Sequence, residues 1–244
     1  MCRKESFTFP VVAVVMIILF GNHIGSQGGT VVAQESGGMG YSMFGSNTIN
    51  LDDLNAKLAS HGYTTLSDNF FSVGGGGHGI INSKWIIGGE GGTLLGDNVT
   101  SGDYETSLIV GYGLFDVGYI VYSIKDLRVY PLLGIGAGGM TLSIAQSPTS
   151  LSFDEVLDNP KRNVEMTTGG FLLNIALGID YLLTFDADEK GRGGFLLGLR
   201  GGYCFSPIQS DWTLGEIELS GAPETAITGP YIRLIIGGGG IGKI

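Results

Sequence analysis

The stretch that decides the fold is residues 194–205, GFLLGLRGGYCF. Its residues fall into two alternating sets. Phe195, Leu197, Leu199, Gly201 and Tyr203 form one; Leu196, Gly198, Arg200, Gly202 and Cys204 form the other. A period of two is that of a β-strand, whose side chains point alternately to opposite faces. The first face is large and apolar, the second small with a single charge. Residues 171–180 repeat the pattern: Phe171, Leu173, Ile175, Leu177 and Ile179 stand against Leu172, Asn174, Ala176, Gly178 and Asp180. Residues 106–114 set Thr106, Leu108, Val110, Tyr112 and Leu114 against Ser107, Ile109, Gly111 and Gly113. By the same size rule, this stretch should turn its glycines to the small-residue side.

Working outward, the sequence predicts eight strands, at 69–80, 83–91, 104–114, 117–124, 128–143, 164–183, 193–205 and 229–239. They are rich in Val, Ile, Phe and Tyr, and no long helical period separates them. Without crossover helices the sheet should be antiparallel. The expected fold class is all-β: an up-and-down barrel of about eight strands with one short N-terminal helix.

Two barrels use such faces. A soluble one buries the large apolar face and needs a polar outside, which Gly and Ala do not supply. A membrane barrel turns the large face to lipid and keeps small or polar residues within. Composition favours the second. Mean hydropathy is +0.27, only 15% of residues are charged, and 44 of 244 are glycine, well over twice the usual share of about 7%. An eight-stranded lumen is only just wide enough for side chains, so inward glycines relieve crowding. The rival is a soluble exported all-β domain with its glycine-rich faces packed sheet on sheet.

Residues 1–33 read as an export signal: basic Arg3 and Lys4, an apolar run at 10–20, and small residues at Val31, Val32 and Ala33, with cleavage expected after Ala33. The run falls short of the ~20 residues of a membrane-spanning helix. Residues 34–68 form a Gly/Ser-rich lead and a short helix, and 69–244 the barrel. The helix is expected at 50–60, with Asn50 as its cap and Leu51, Leu54 and Leu58 on one face, docked against a barrel end. Removing the leader takes away Arg3, Lys4 and Glu5, so the formal charge of −10 becomes −11. Such acidity excludes a nucleic-acid partner, which requires a basic stripe. Only Cys204 then remains, which excludes an intramolecular disulfide and a cysteine zinc site.

The chain's last eight residues, GGGGIGKI (237–244), match seven positions of a phosphate-binding loop. The hydroxyl that should follow the Lys is replaced by Ile244, and no helix follows. Ile232, Leu234 and Ile236 are expected to face outward, with the glycines as the frayed end of the last strand. No cofactor is called for. Asp97, Asp103 and Glu105 do not have the spacing of a calcium loop, and Asn98-Val99-Thr100 is formally a glycosylation acceptor.

If the glycine-bearing faces point inward, the lumen collects Ser72, His78, Lys84, Glu90, Asn174, Asp180 and Arg200. Charges in a narrow interior should pair, with Glu90–Arg200 the expected couple. Such a cluster is either an ionic plug or a polar path for a small solute. The remaining reading is a barrel-embedded lipid-modifying enzyme, which needs a nucleophile, a His and an acid on neighbouring strands. Only His61 and His78 remain after the leader, and Ser72 lies about 20 Å along the strand from His78. No catalytic residue is therefore nominated, and a non-enzyme is expected. Membrane lipid is the expected partner. A surface partner would meet the loops at 144–163 and 206–228, the latter holding an exposed Trp212.

The leader, the eight alternating stretches and the Gly/aromatic strands (FFSVGGGGHG, SLIVGYGLF, VYPLLGIGAGG, GFLLGLRGGY) resemble the small outer-membrane β-barrel proteins of the OmpA, OmpX and OmpW types. The resemblance spans roughly residues 69–241 and is architectural. It implies an eight-stranded up-and-down barrel in the outer membrane, with a structural, adhesive, defensive or solute-passing role. Two features depart from that pattern. The chain closes on Gly-Lys-Ile rather than an aromatic residue. The long connections, 92–103, 144–163 and 206–228, also fail to alternate with short ones. A strand has been missed or split, with residues 40–44 as the suspect, or the simple topology does not hold.

Overall fold

The structure, a computed structural model, describes residues 35–146, 152–158, 163–187 and 191–243. The predicted leader and its cleavage point lie outside them. In chain order the elements are β1 (Glu35–Thr48), α1 (Asp52–Ser60), β2 (Asn69–Ile81), β3 (Trp85–Leu95), β4 (Val99–Ser101), β5 (Tyr104–Tyr119), β6 (Tyr122–Ile124), β7 (Leu127–Gln146), α2 (Phe153–Asp158), β8 (Asn163–Ala187), β9 (Gly191–Gln209), β10 (Thr213–Leu214), β11 (Ile217–Glu218) and β12 (Gly229–Lys243). The eight long strands, β1, β2, β3, β5, β7, β8, β9 and β12, each pair antiparallel with their neighbours. β1 closes the barrel on β12 from Glu35↔Lys243 to Asn47↔Tyr231. Closure leaves none of these long strands as an edge.

The count of eight matches the expectation, but two of the predicted strands differ. Residues 104–119 form the single strand β5, so the predicted strand at 117–124 is partly its continuation. The expected gap at residues 115–116 falls inside β5. Residues 35–48, ahead of the predicted barrel boundary at 69, form β1. Its alternation of Gly and Ser with Met and Tyr is too weakly apolar to stand out from a loop. With both changes the connections alternate properly. Residues 49–68, 96–103, 147–162 and 210–228 link strands at one end, while the short segments 82–84, 120–126 and 188–190 link them at the other.

At the first of the short ones, Asn82 and Ser83 are both at positive φ (53° and 59°), with the Lys84 amide donating to the Ile81 carbonyl at 3.1 Å. This is the two-residue hairpin turn whose twist suits antiparallel strands. Gly237–Gly240, expected to fray, are paired on both sides, to Tyr41–Gly38 of β1 and to Leu196–Gly193 of β9.

α1 begins two residues later than expected. The Asn50 Oδ1 accepts from the Asp52 amide at 2.9 Å, and Leu51, Leu54 and Leu58 are buried. Asn55 ties the helix to the segment leading into β2, exchanging hydrogen bonds with the Leu66 backbone at 2.8 and 2.9 Å. The three leucines pack with Phe70, Leu94 and Leu108 of the wall and with Trp212 and Ile227 from the β9–β12 connection. An apolar cap therefore closes the loop end. Trp212, expected to be exposed, is buried within it, its indole N–H donating to the Pro223 carbonyl at 3.1 Å. A second apolar cluster, including Met39, Ile80, Ile86, Leu132 and Leu196, fills the turn end.

Candidate functional site

Many large polar side chains of the lumen stand opposite glycines. Across the ladders, Tyr130 faces Gly178, Asp180 faces Gly198, Asp116 faces Gly134, Glu90 faces Gly76, His78 faces Gly88, Arg233 faces Gly45 and Tyr231 faces Gly202. The contact is steric. A Cβ on Gly178 would lie 2.5 Å from the Tyr130 ring, and one on Gly202 2.7 Å from the Tyr231 ring. These glycines make room for their bulky polar neighbours, which is how so narrow a lumen holds so many.

At its centre lies Glu90, between two arginines. Arg200 donates to its Oε2, and Arg233 Nη1 donates to Oε1 at 2.7 Å. All three residues are at most 5% exposed. Arg200 also donates to the Tyr130 hydroxyl at 3.2 Å and to the Tyr41 hydroxyl at 3.5 Å. Tyr130 in turn donates to Asp180 Oδ2 at 2.7 Å. The Arg233 guanidinium lies 3.9 Å over the Tyr231 ring and 4.8 Å from the Tyr112 centroid, positions where the ring face attracts a cation. Tyr231 donates to Asn174 at 2.9 Å.

Of the residues named from sequence, His78, Glu90, Asn174, Asp180 and Arg200 all point into this cluster. His78 Nε2 lies 3.8 Å from Asp180, and its ring meets those of Tyr41 and Tyr130. Lys84 is not part of it: the residue closes the turn before β3 and is exposed. Arg233, Asp116, Arg128 and the tyrosines were not named. Arg233 was legible, because parity puts it inside if Ile232 and Leu234 are outside. Asp116 and Arg128 are also buried, and the Asp116 oxygens and the Arg128 Nη atoms have no protein hydrogen-bond partner among the described residues.

The face assignment for residues 106–114 is reversed. Thr106, Leu108, Val110 and Leu114 are buried in the lumen and Ile109 is exposed. The reason is the cap: Leu108, Val110 and Leu114 supply its barrel side. Gly111 and Gly113 consequently face outward, where a Cβ would meet nothing within 4 Å. Nothing in the structure explains glycine there.

The outside of the barrel is apolar. Phe115, Ile135, Leu177, Leu199 and Leu234 are exposed. Every outward residue from Thr167 to Phe185 in β8 and from Phe195 to Tyr203 in β9 is uncharged. At the turn end Trp85 packs edge-on to Tyr119 at 5.1 Å, with Tyr122 also exposed. An apolar wall ending in amphipathic aromatics is a lipid-facing surface, and it contradicts the soluble sheet-on-sheet alternative. No helix among the described residues is long and apolar enough to cross a membrane.

Chemically, the cluster sets three buried carboxylates, Glu90, Asp116 and Asp180, beside three buried arginines, Arg128, Arg200 and Arg233. No serine, threonine or cysteine hydrogen-bonds to His78 among the described residues, and Cys204 is buried. No group of three His, Cys, Asp or Glu side chains among these residues is placed to hold a metal.

No protein-family model matches the chain, and neither does any curated protein. Among solved structures it resembles Ail, the attachment invasion locus protein of Yersinia pestis. Identity is 9%, covering 86% of this chain and 99% of that one, with a TM-score of 0.42. It also resembles the outer membrane protein OprG from Pseudomonas aeruginosa (14% identity, 87% and 97% covered, TM-score 0.34). A third is the outer membrane protein AlkL, solved in DMPC lipid bilayers (12% identity, 91% and 96% covered, TM-score 0.33).

Proposed function

We propose that this protein is an exported outer-membrane barrel whose role is structural or interactive at the surface, and that its lumen is a closed ionic core. The observation that carries the reading is Glu90 held by Arg200 and Arg233 across the lumen, directly beneath the apolar cap. A path for solute would have to break a buried ion triad, and separating one partner of such a group costs about 3–5 kcal/mol. The loop end, by contrast, presents its long connections to the medium, which suits contact rather than transport. Among the described residues the lumen has no nucleophile poised beside a base, which weighs against the lipid-modifying alternative. The test is conductance. The full chain reconstituted in a planar bilayer should add no unitary current to the lipid baseline. Discrete channel openings at modest voltage would replace this reading with that of a small-solute channel.

A further inference from the structure

Charge is divided very unequally between the two ends. The connections at the loop end hold twelve carboxylates and three basic residues, whereas those at the turn end hold three of each. Nearly all of the net charge of −10 therefore faces one side. Within this acidic field stand two exposed apolar features. In α2, Phe153, Val156 and Leu157 are exposed, Phe153 by 78% and Leu157 by 63%, and none of the helix's residues is buried. They lie at i, i+3 and i+4 and so share one face; Asp154, Glu155 and Asp158 take the other. Ser152 and Glu155 cap this helix reciprocally, at 2.8 and 3.2 Å. The apolar face is thus presented on an ordered turn. The second feature is the β10–β11 hairpin, where Leu214 and Ile217 pair across the ladder and are both exposed. The hairpin is fixed to the barrel through Thr213↔Thr167. Beside it, a cleft of about 620 Å³ is lined by Gln209, Asp211, Glu218 and Glu224. None of Asp154, Asp158, Asp211, Glu216, Glu218 and Glu224 has an ion-pair partner in the described residues.

Resting on the surface-interaction reading above, we infer that the loop end docks a basic, amphipathic protein segment. Its apolar side chains would cover Phe153, Val156, Leu157, Leu214 and Ile217, and its Lys or Arg side chains would enter the acidic cleft and rim. Charge complementarity selects this partner. An anionic lipid or a nucleic acid would be repelled by the same carboxylates, and a purely cationic ligand would leave the apolar residues in water. Opposite fields steer encounter and give salt dependence, while buried apolar side chains supply most of the residence time.

The experiment uses the full chain in nanodiscs of phosphatidylcholine and a labelled Lys/Leu amphipathic peptide, read by fluorescence anisotropy against empty discs. Glu/Leu and Lys/Ser peptides serve as comparators. The Lys/Leu peptide should bind protein-loaded discs above empty ones and weaken as salt rises. It should lose affinity about tenfold in F153S/V156S/L157S, in L214S/I217S, and in E216Q/E218Q. All these residues are exposed, so heat-dependent gel mobility should confirm that each variant still holds a folded barrel. Variants that bind as tightly as the parent would overturn the docking surface. Preference for the Glu/Leu peptide would overturn the charge assignment while leaving a surface-interaction role standing. Equal binding of every peptide to loaded and empty discs would remove both.

Discussion

At the scale of single residues, the lumen works by setting many of its large polar side chains opposite an absent one. Gly178 is a clear case, since its Cβ would meet the Tyr130 ring at 2.5 Å, and Tyr130 bridges Arg200 to Asp180. G178A should therefore destabilise the barrel by about 1–3 kcal/mol through overpacking. G111A, whose Cβ meets nothing, should stay within about 0.5 kcal/mol of the parent. Urea titration of protein refolded in lipid vesicles measures both, and equal effects would refute the steric account. The ion triad makes a second ordering. E90A strands two buried arginines and should cost about 3–5 kcal/mol. R200M should cost less, because Glu90 keeps Arg233 at 2.7 Å and methionine retains most of the packed stem. A larger loss in R200M than in E90A would mean that the tyrosine contacts of Arg200, rather than its carboxylate, hold the core.

At the scale of elements, the cap is the part with a separate job, and it has its own reporter. The chain has two tryptophans, of which Trp212 is 4% exposed and Trp85 49%. In a W85F background, Trp212 should emit from an apolar setting. L54S/L58S, removing two leucines that pack against it, should shift that emission to the red while the boiled-versus-unboiled gel shift persists. An unmoved spectrum would mean that α1 does not seal the indole. The cap also marks where sequence reading stopped working. In β8 and β9 large residues face lipid for nearly their whole length, so the alternation around Leu177 and Leu199 could be assigned correctly. In β5 the loop half lies under α1, so Leu108 and Val110 turn inward, Gly111 and Gly113 turn outward, and the size rule inverts along one continuous strand. β1 was visible only as the suspect stretch 40–44, for the opposite reason: its outward Ser36, Gly38, Gly40 and Ser42 carry almost no apolar signal. Arg233 was within reach of parity alone. Asp116 was not, because a carboxylate mid-strand looks like a turn until Gly134 is seen opposite it.

At the scale of the molecule, one barrel separates three environments: lipid around the wall, an ionic core within, and unequal water-facing ends. These environments make opposite demands on the same substitution, and that gives a test independent of the lumen's function. Leu199 and Leu196 are three positions apart on β9, yet Leu199 is 47% exposed on the outer wall and Leu196 is fully buried within. L199R places a cation in the hydrocarbon and should cost about 2–4 kcal/mol near the bilayer midplane. L199F keeps the lipid-facing character and should be close to neutral, whereas L196F forces bulk into the turn-end cluster and should lose about 1–3 kcal/mol. Urea unfolding of the three variants in phosphatidylcholine vesicles gives the comparison. A soluble barrel would reverse the first expectation, since a cation on a water-facing wall is harmless, and L199R would then fold as well as the parent without detergent. The costs should instead rank L199R and L196F well above L199F. That order follows only if hydrocarbon is the solvent of the outer wall and tight packing the condition of the inner one.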